Sequence, residues 1–177
     1  MSHRFSPDRP RTPVPLDPAK LEALAIFYVG RYATTRAKLA QYLARKVATR
    51  GWEGEAEPPI AAVVERCTAL GYVDDAAFAA ARGASLGRRG YGARRVSEAL
   101  RAAGIDSEDA APVEQAARDD ATDAAMAFAR RRRIGPFARE ETIDPDKQRR
   151  DFGALMRAGH DPATARRIAY MPKGDAS

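Results

Sequence analysis

Short apolar stripes, most of them opened by Asp or Pro and most closed by Gly, recur along this sequence, and that punctuation narrows the possible folds more than any other feature. An Asp before a helix accepts one of the orphan N–H groups of its first turn, Pro is tolerated at the first helical position, and Gly supplies the left-handed residue that ends a helix. Asp17 and Pro18 open a first helix with Leu21, Leu24, Ala25 and Tyr28 on its inner face. Thr35 is positioned to cap a second, whose stripe is Leu39, Tyr42, Leu43 and Val47 and which ends before the loop of Gly51 and Gly54. Pro58 and Pro59 start a third, with Ile60, Val63, Val64, Cys67 and Leu70 inward and Gly71 as its stop.

The pattern then repeats. Asp74 caps a fourth helix carrying Phe78, which breaks between Gly87 and Gly92. A fifth has Val96, Ala99, Leu100 and Ala103 inward and stops at Gly104, and Asp106 with Asp109 begins a sixth. Asp119 and Asp120 lead into a seventh with Ala125, Met126, Phe128 and Ala129, its basic run Arg130 to Arg133 lying at the end where the helix dipole favours cations. Residues 134–144 read as a linker. Pro145 opens an eighth helix (Phe152, Leu155, Met156) that stops at Gly159, and Asp161 with Pro162 opens a ninth (Ala165, Ile168, Ala169).

Nine helices in three groups of three, with a period of about fifty residues, predict an all-α chain built as an elongated array of three tandem three-helix repeats, each too thin to be stable without its neighbours. The expected boundaries are a basic, Pro-rich tail over 1–16, repeats at 17–73, 74–118 and 119–171, and a C-terminal tail over 172–177. Composition agrees with helix: of 177 residues 38 are Ala, the best helix former, and aromatics are only 7%. No apolar run approaches the length needed to span a bilayer, and the first residues contain no stretch resembling a signal peptide. With Cys67 alone, no intrachain disulfide and no Cys-based zinc site can form, so a reducing cytoplasm is the expected compartment and Cys67 is expected in the core.

The charge points to an anionic partner. The formal net charge is +6, and 25 of the 30 cations are Arg, whose planar guanidinium holds phosphate or carboxylate in a two-pronged grip. A GC-rich genome would raise Arg, Ala and Gly together, so composition alone does not choose the partner. The densest candidates for contact are Arg82, Arg88, Arg89, Arg94, Arg95 and Arg101 around the Gly-containing break, then Arg130, Arg131, Arg132 and Arg133, then Arg149, Arg150 and Arg157. Four consecutive arginines span more than a helical turn and cannot all face one surface. Tyr91, between Gly90 and Gly92, is a candidate for stacking on a partner.

Enzymatic constellations are not found. His3 and His160 sit in the tail and in a helix-connecting turn, so neither a His-based metal helix nor a His paired with Cys67 or a serine is available. The break at Gly87, Gly90 and Gly92 lacks the Gly-Lys-Ser/Thr ending of a phosphate loop. Asp74 and Asp75 read as capping residues rather than a carboxylate pair. No catalytic residue, metal or cofactor is expected.

The phrase GYVDDAAFAAARGASLGRRGYGARRVSEALRAAGID, residues 71–106, resembles the core signature of the RecX family, regulators of the RecA recombinase. A Gly-Tyr-hydrophobic turn (Gly71, Tyr72, Val73) leads to an acidic pair (Asp74, Asp75) and Phe78-Ala79. The basic Arg88 and Arg89 follow, then Gly90, Gly92, Arg95 and Val96, then Leu100 with Gly104, Ile105 and Asp106. The likeness extends through TTRAKLAQYLARK before and DKQRRDFGALMRAG after, over roughly residues 20–170. It departs at Lys38, where the family commonly has an acid, at Val47, where Gly is usual, and more loosely in the third repeat. The resemblance implies a non-enzymatic protein of three three-helix repeats that binds the RecA filament on DNA and modulates RecA, usually by inhibition; a monomer that also contacts single- or double-stranded DNA without sequence preference is expected. A freestanding helix-turn-helix DNA-binding protein, such as a transcriptional repressor, is the alternative that short helices and positive charge also suit. Against it, no helix start offers a set of Asn, Gln and Arg for reading base edges.

Overall fold

Five aspartates, Asp17, Asp74, Asp106, Asp144 and Asp161, each accept a backbone N–H from the first turn of the helix that follows, at 2.8–3.0 Å. In the computed structural model, which describes residues 14–140 and 144–175, they start α1 (Pro18–Val29), α4 (Asp75–Arg88), α6 (Ser107–Asp119), α8 (Pro145–Arg157) and α9 (Pro162–Ala169). Between them lie α2 (Arg36–Arg50), α3 (Ile60–Ala69), α5 (Ala93–Ala102) and α7 (Ala121–Arg132), with one 3-10 turn at Gly135–Phe137. No strand occurs among the described residues beyond an isolated bridge between Leu16 and Trp52, so the all-α expectation holds.

The described residues fall into two compact units: residues up to 33 together with 38–73, and residues 34–37 together with 74 onward. In the first unit, Leu21 and Ala25 of α1, Leu39 and Leu43 of α2, and Val63, Val64 and Cys67 of α3 form one buried cluster with Val73. Each fully buried Leu contributes about 1.5–3 kcal/mol relative to an exposed one. Cys67 lies in this core as expected, and burial pushes its thiol above its ordinary value. Leu16, assigned to the tail by its Pro-rich surroundings, is completely buried in the same cluster. It is fixed by backbone bonds, its N–H donating to the Gly51 carbonyl and its carbonyl accepting from Glu53. The remainder of the expected tail, residues 1–13 with His3, lies outside the described residues, as do 176 and 177.

The second unit holds two cores. Ala79 and Leu86 of α4, Val96 and Leu100 of α5 and Ala110 of α6 pack with Ala103 and Ile105. Ala125, Phe128 and Ala129 of α7, Leu155 of α8, and Ala165, Ile168 and Ala169 of α9 pack with Ile134 and Ala158. The expected linker over 134–144 is partly core: Ile134 and Pro136 are buried, because the 3-10 turn at Gly135 lies against the Ile168 carbonyl where a side chain would not fit. Residues 141–143 lie outside the described ones. Asp119, expected ahead of the seventh helix, is the last residue of α6, and Asp120 alone separates α6 from α7 without a side-chain capping bond.

Five helices close in the same way. The N–H of Tyr72, Tyr91, Ile105, Ile134 and His160 reaches back to the carbonyl of Cys67, Leu86, Leu100, Ala129 and Leu155, respectively. The residue before each closing N–H has positive φ. In four cases it is Gly, for which this conformation is unstrained; in α7 it is Arg133, at φ 56°.

Candidate functional site

All thirteen candidate arginines are exposed, and all lie in the second unit. The break between α4 and α5 brings two of the clusters, 88–89 and 130–133, together; Arg149 and Arg150 pair instead with acids at the start of their own helix. Gly90 ends α4 at φ +73°, and a Cβ there would stand 2.6 Å from the Phe128 nitrogen of α7, so α7 and α4 approach as backbone to side-chain-free backbone. Gly92 N–H donates to the Ala158 carbonyl at 3.0 Å and Arg94 N–H to the Gly159 carbonyl at 3.2 Å, bringing the end of α8 to the start of α5. His160 completes the junction: its Nε2 lies 3.0 Å from the Gly90 carbonyl and its ring meets Phe128 edge-on.

Onto this junction the sequence projects its basic side chains. Arg131 of α7 donates to the Arg89 carbonyl at 3.1 Å, so the cluster at 130–133 meets the cluster at 88–89. Arg89 lies over the Tyr91 ring, Arg130 over Phe137 and Arg132 over Phe128, at 4.9–5.8 Å from the ring centroids. The run of four therefore divides among different local anchors. Tyr91 is half-buried, its ring tilted toward Phe128 at 6.4 Å between centroids, and it lines the groove beside Arg88.

Other candidates are engaged within the chain. Arg94 and Arg95 pair with Glu98 of the same helix at 3.9 and 3.6 Å, and Arg94 also donates to the Met156 carbonyl. Arg149 pairs with Asp146, and Arg150 with Asp144 at 3.7 Å. Exposed pairs of this kind are worth little, about 0–1 kcal/mol, and release their cations readily to a stronger anion. Arg82, Arg88, Arg101, Arg133 and Arg157 have no ion-pair partner among the described residues. Arg88 stands beside a groove of about 530 Å³ between α4 and α6, walled by Ala80, Ala84, Pro112 and Ala116.

Two polar residues at the heart of this unit were read differently from sequence. Asp75, taken with Asp74 as a cap, is 5% exposed and faces inward. Its carboxylate accepts the Arg36 backbone N–H at 2.9 Å and the Arg36 Nε at 3.1 Å. The same guanidinium donates through Nη2 to Asp106 at 2.7 Å and Asp109 at 2.9 Å, which ties together the N-termini of α4 and α6. Hydrogen bonding to Asp75 raises the Arg36 pKa further, while the Asp109 N–H, followed by Arg36, holds the Asp106 carboxyl below its ordinary value. The sequence signal was a doubled acid at a helix start, where only the first can cap. His160, taken as an ordinary turn residue, is 3% exposed, and burial lowers its pKa.

Among the described residues no group of three or more His, Cys, Asp or Glu is placed to hold a metal, and no helix is long and apolar enough to cross a membrane. What the junction offers is a set of cations on a closely packed backbone frame.

Residues 74–112 match the family model described as RecX, second three-helix domain, which spans α4, α5 and the start of α6. The regulatory protein RecX of Myxococcus xanthus (strain DK1622) is 31% identical, over 93% of this chain and 95% of its own. Among solved structures, a crystal structure of RecX from Lactobacillus salivarius has a TM-score of 0.62 at 17% identity, covering 85% of this chain and 92% of that one. A crystal structure of regulatory protein RecX has a TM-score of 0.64 at 14% identity, covering 85% and 70%. At these identities the two structures speak for the shared helical fold.

Proposed function

The chain belongs to the RecX family of regulatory proteins, and from that premise we propose that it binds the RecA filament on DNA and modulates it, mainly by inhibiting ATP turnover, strand exchange and co-protease activity in recombinational repair and the SOS response. The observation that carries this reading is the family relationship along nearly the whole chain. On this reading the protein works in the cytoplasm as a monomeric, non-enzymatic regulator that also touches DNA without reading its sequence.

The exposed cations of α4, α5 and the end of α7 suit the task. Binding in the filament groove would set Arg88, Arg89, Arg101, Arg131 and Arg133 against carboxylates of successive protomers or phosphates of the bound strand, and many modest contacts would add through their shared attachment. Occupying the groove would exclude a second DNA strand or a cleavable repressor. Preference for one filament state would lower ATP turnover, because a ligand shifts an equilibrium only through differential affinity.

Co-sedimentation with RecA filaments on single-stranded DNA tests the assignment of the site. Arg88→Glu with Arg89→Glu should weaken binding by about tenfold or more, since each lost charged contact is worth roughly 1 kcal/mol or above. Unchanged binding and unchanged inhibition would remove the break from the interface. Salt separates the two anions: phosphate contacts give a steep logarithmic loss of affinity with salt, while carboxylate contacts give a shallower, screening-limited one.

A further inference from the structure

From Ile26 to Arg50 the chain carries six cations, Arg31, Arg36, Lys38, Arg45, Lys46 and Arg50, and no carboxylate. Three of its six tyrosines lie in the same stretch, and the structure brings their rings into contact. Tyr28 of α1 and Tyr42 of α2 lie face to face, with centroids 4.1 Å apart and planes 17° from parallel. Tyr32 meets Tyr28 at 5.3 Å between centroids with the planes tilted by 49°, and the Lys46 ammonium sits 5.5 Å from the Tyr42 centroid. All four residues belong to the first unit.

Helical periodicity places Tyr28 and Tyr42 in the core, but they are half-buried at its edge, and Tyr32, in contact with Tyr28, is 51% exposed. Its neighbour Phe27 is 64% exposed. Some of the cations are already used: Arg36 holds three carboxylates, and Arg50 donates to the Val14 carbonyl. Arg31, Arg45 and Lys46 have no ion-pair partner among the described residues, and Arg31 and Arg45 are exposed.

An aromatic cluster that includes an exposed ring, within a stretch carrying six cations and no acid, matches the two halves of a nucleotide. A base offers a π-face whatever its identity, and the phosphates on either side require cations. A duplex keeps its base faces inside its own stack, so the matching partner is single-stranded. We propose that Tyr32, in contact with Tyr28 and carried on the same acid-free stretch as Arg31, Arg45 and Lys46, is part of a binding surface for single-stranded nucleic acid, taking a base on the Tyr32 ring and phosphates on the cations. This surface is distinct from the arginine junction of the second unit. Its test needs no recombinase, so its failure and that of the filament reading are separable.

The measurement is binding of the full chain to fluorescently labelled oligothymidine, compared with an abasic deoxyribose-phosphate oligomer of equal length. The base-bearing strand should bind about tenfold tighter, the scale of one stacked base. Tyr32→Ala should remove that preference and Tyr32→Phe should keep it. Arg45→Glu with Lys46→Glu should weaken both oligomers and flatten the salt dependence. On the unsubstituted protein, photocrosslinking with a halogenated uracil in the strand should label Tyr32 or Phe27. Equal affinity for the two oligomers, a preference that survives Tyr32→Ala, or crosslinks confined to residues 82–157 would overturn the proposal. So would a Tyr32 face protected by a protein partner yet indifferent to single strands.

Discussion

His160 Nε2 lies 3.0 Å from the carbonyl oxygen of Gly90, seventy residues away in sequence, and the opposite ring nitrogen, Nδ1, is buried without a partner. A neutral imidazole protonated on Nε2 satisfies the carbonyl and leaves a bare acceptor inside, whereas an imidazolium would bury an unpaired N–H bearing charge. Desolvation accordingly lowers the His160 pKa, against the opposing pull of the Gly90 bond and Asp161.

The consequence for pH follows from which state takes up the proton first. The unfolded chain titrates near the ordinary value of 6.5 and the folded one lower, so the unfolded state binds more protons as the pH falls below 6.5. The His160 contribution is therefore complete above that value and is lost on acidification through it. Denaturant unfolding between pH 7.5 and 5 should show stability falling toward acid, and His160→Gln, whose amide can still donate to Gly90, should flatten that slope. An equal slope in both proteins would show that His160 is not the titrating group.

The glycines of the same junction give a paired test. A Cβ on Gly92 would intrude on the Gly159 carbonyl, so Gly92→Ala should cost about 2 kcal/mol or more through overpacking against backbone that cannot retreat. Gly87, in the last turn of α4, has open space where its Cβ would go, and Gly87→Ala should stabilise by up to about 1 kcal/mol through helix propensity. Opposite signs in thermal unfolding are the expected result; a loss at both positions would contradict the geometry.

Asp75 and Arg36 predict an asymmetry. Asp75→Asn keeps an acceptor for the Arg36 N–H and leaves a guanidinium that still reaches Asp106 and Asp109, so its cost should be about 1 kcal/mol. Arg36→Gln leaves the Asp75 carboxylate, with a side chain 2% exposed, without its cation. Breaking a wholly buried pair costs about 3–5 kcal/mol, and the 42% exposure of Arg36 lowers the expectation to about 2 kcal/mol. Equal losses for the two variants in denaturant unfolding would place the support for α2, α4 and α6 elsewhere.

How far these relationships were legible in the sequence depends on the separation of the partners. Caps such as Asp106 on Asp109 act over three residues and can be read directly, as can the glycines that end helices. The Asp75 bond to Arg36 spans 39 residues and the His160 bond to Gly90 spans 70; no local pattern carries either. Leu16 was hidden by the prolines around it, because its burial depends on backbone bonds to the Gly51 turn. The carboxylates that pair with Arg94, Arg95, Arg149 and Arg150 lie close by in the sequence, whereas the Arg131 bond to the Arg89 carbonyl spans 42 residues and depends on how α4 and α7 meet. The tyrosine stack escaped because periodicity distinguishes inward from outward but not the centre of a core from its edge.

Arg133 separates function from stability. A non-Gly residue at φ 56° costs about 1 kcal/mol, and the four equivalent helix closures use Gly. Arg133→Gly should leave stability unchanged or raise it by up to about 1 kcal/mol while weakening attachment to RecA filaments, since the cation is what the strained position retains. Lost stability, or full attachment in co-sedimentation, would remove Arg133 from the interface.

The central claim, that this helical chain regulates a recombinase filament, is tested most directly by RecA ATPase on single-stranded DNA as the protein is added from far below one copy per RecA up to saturation. The account predicts progressive loss of ATP turnover, accompanied by loss of strand exchange, and blunted by Arg88→Glu with Arg89→Glu. ATP turnover unaffected through saturation, with no protein retained on the filament, would contradict it.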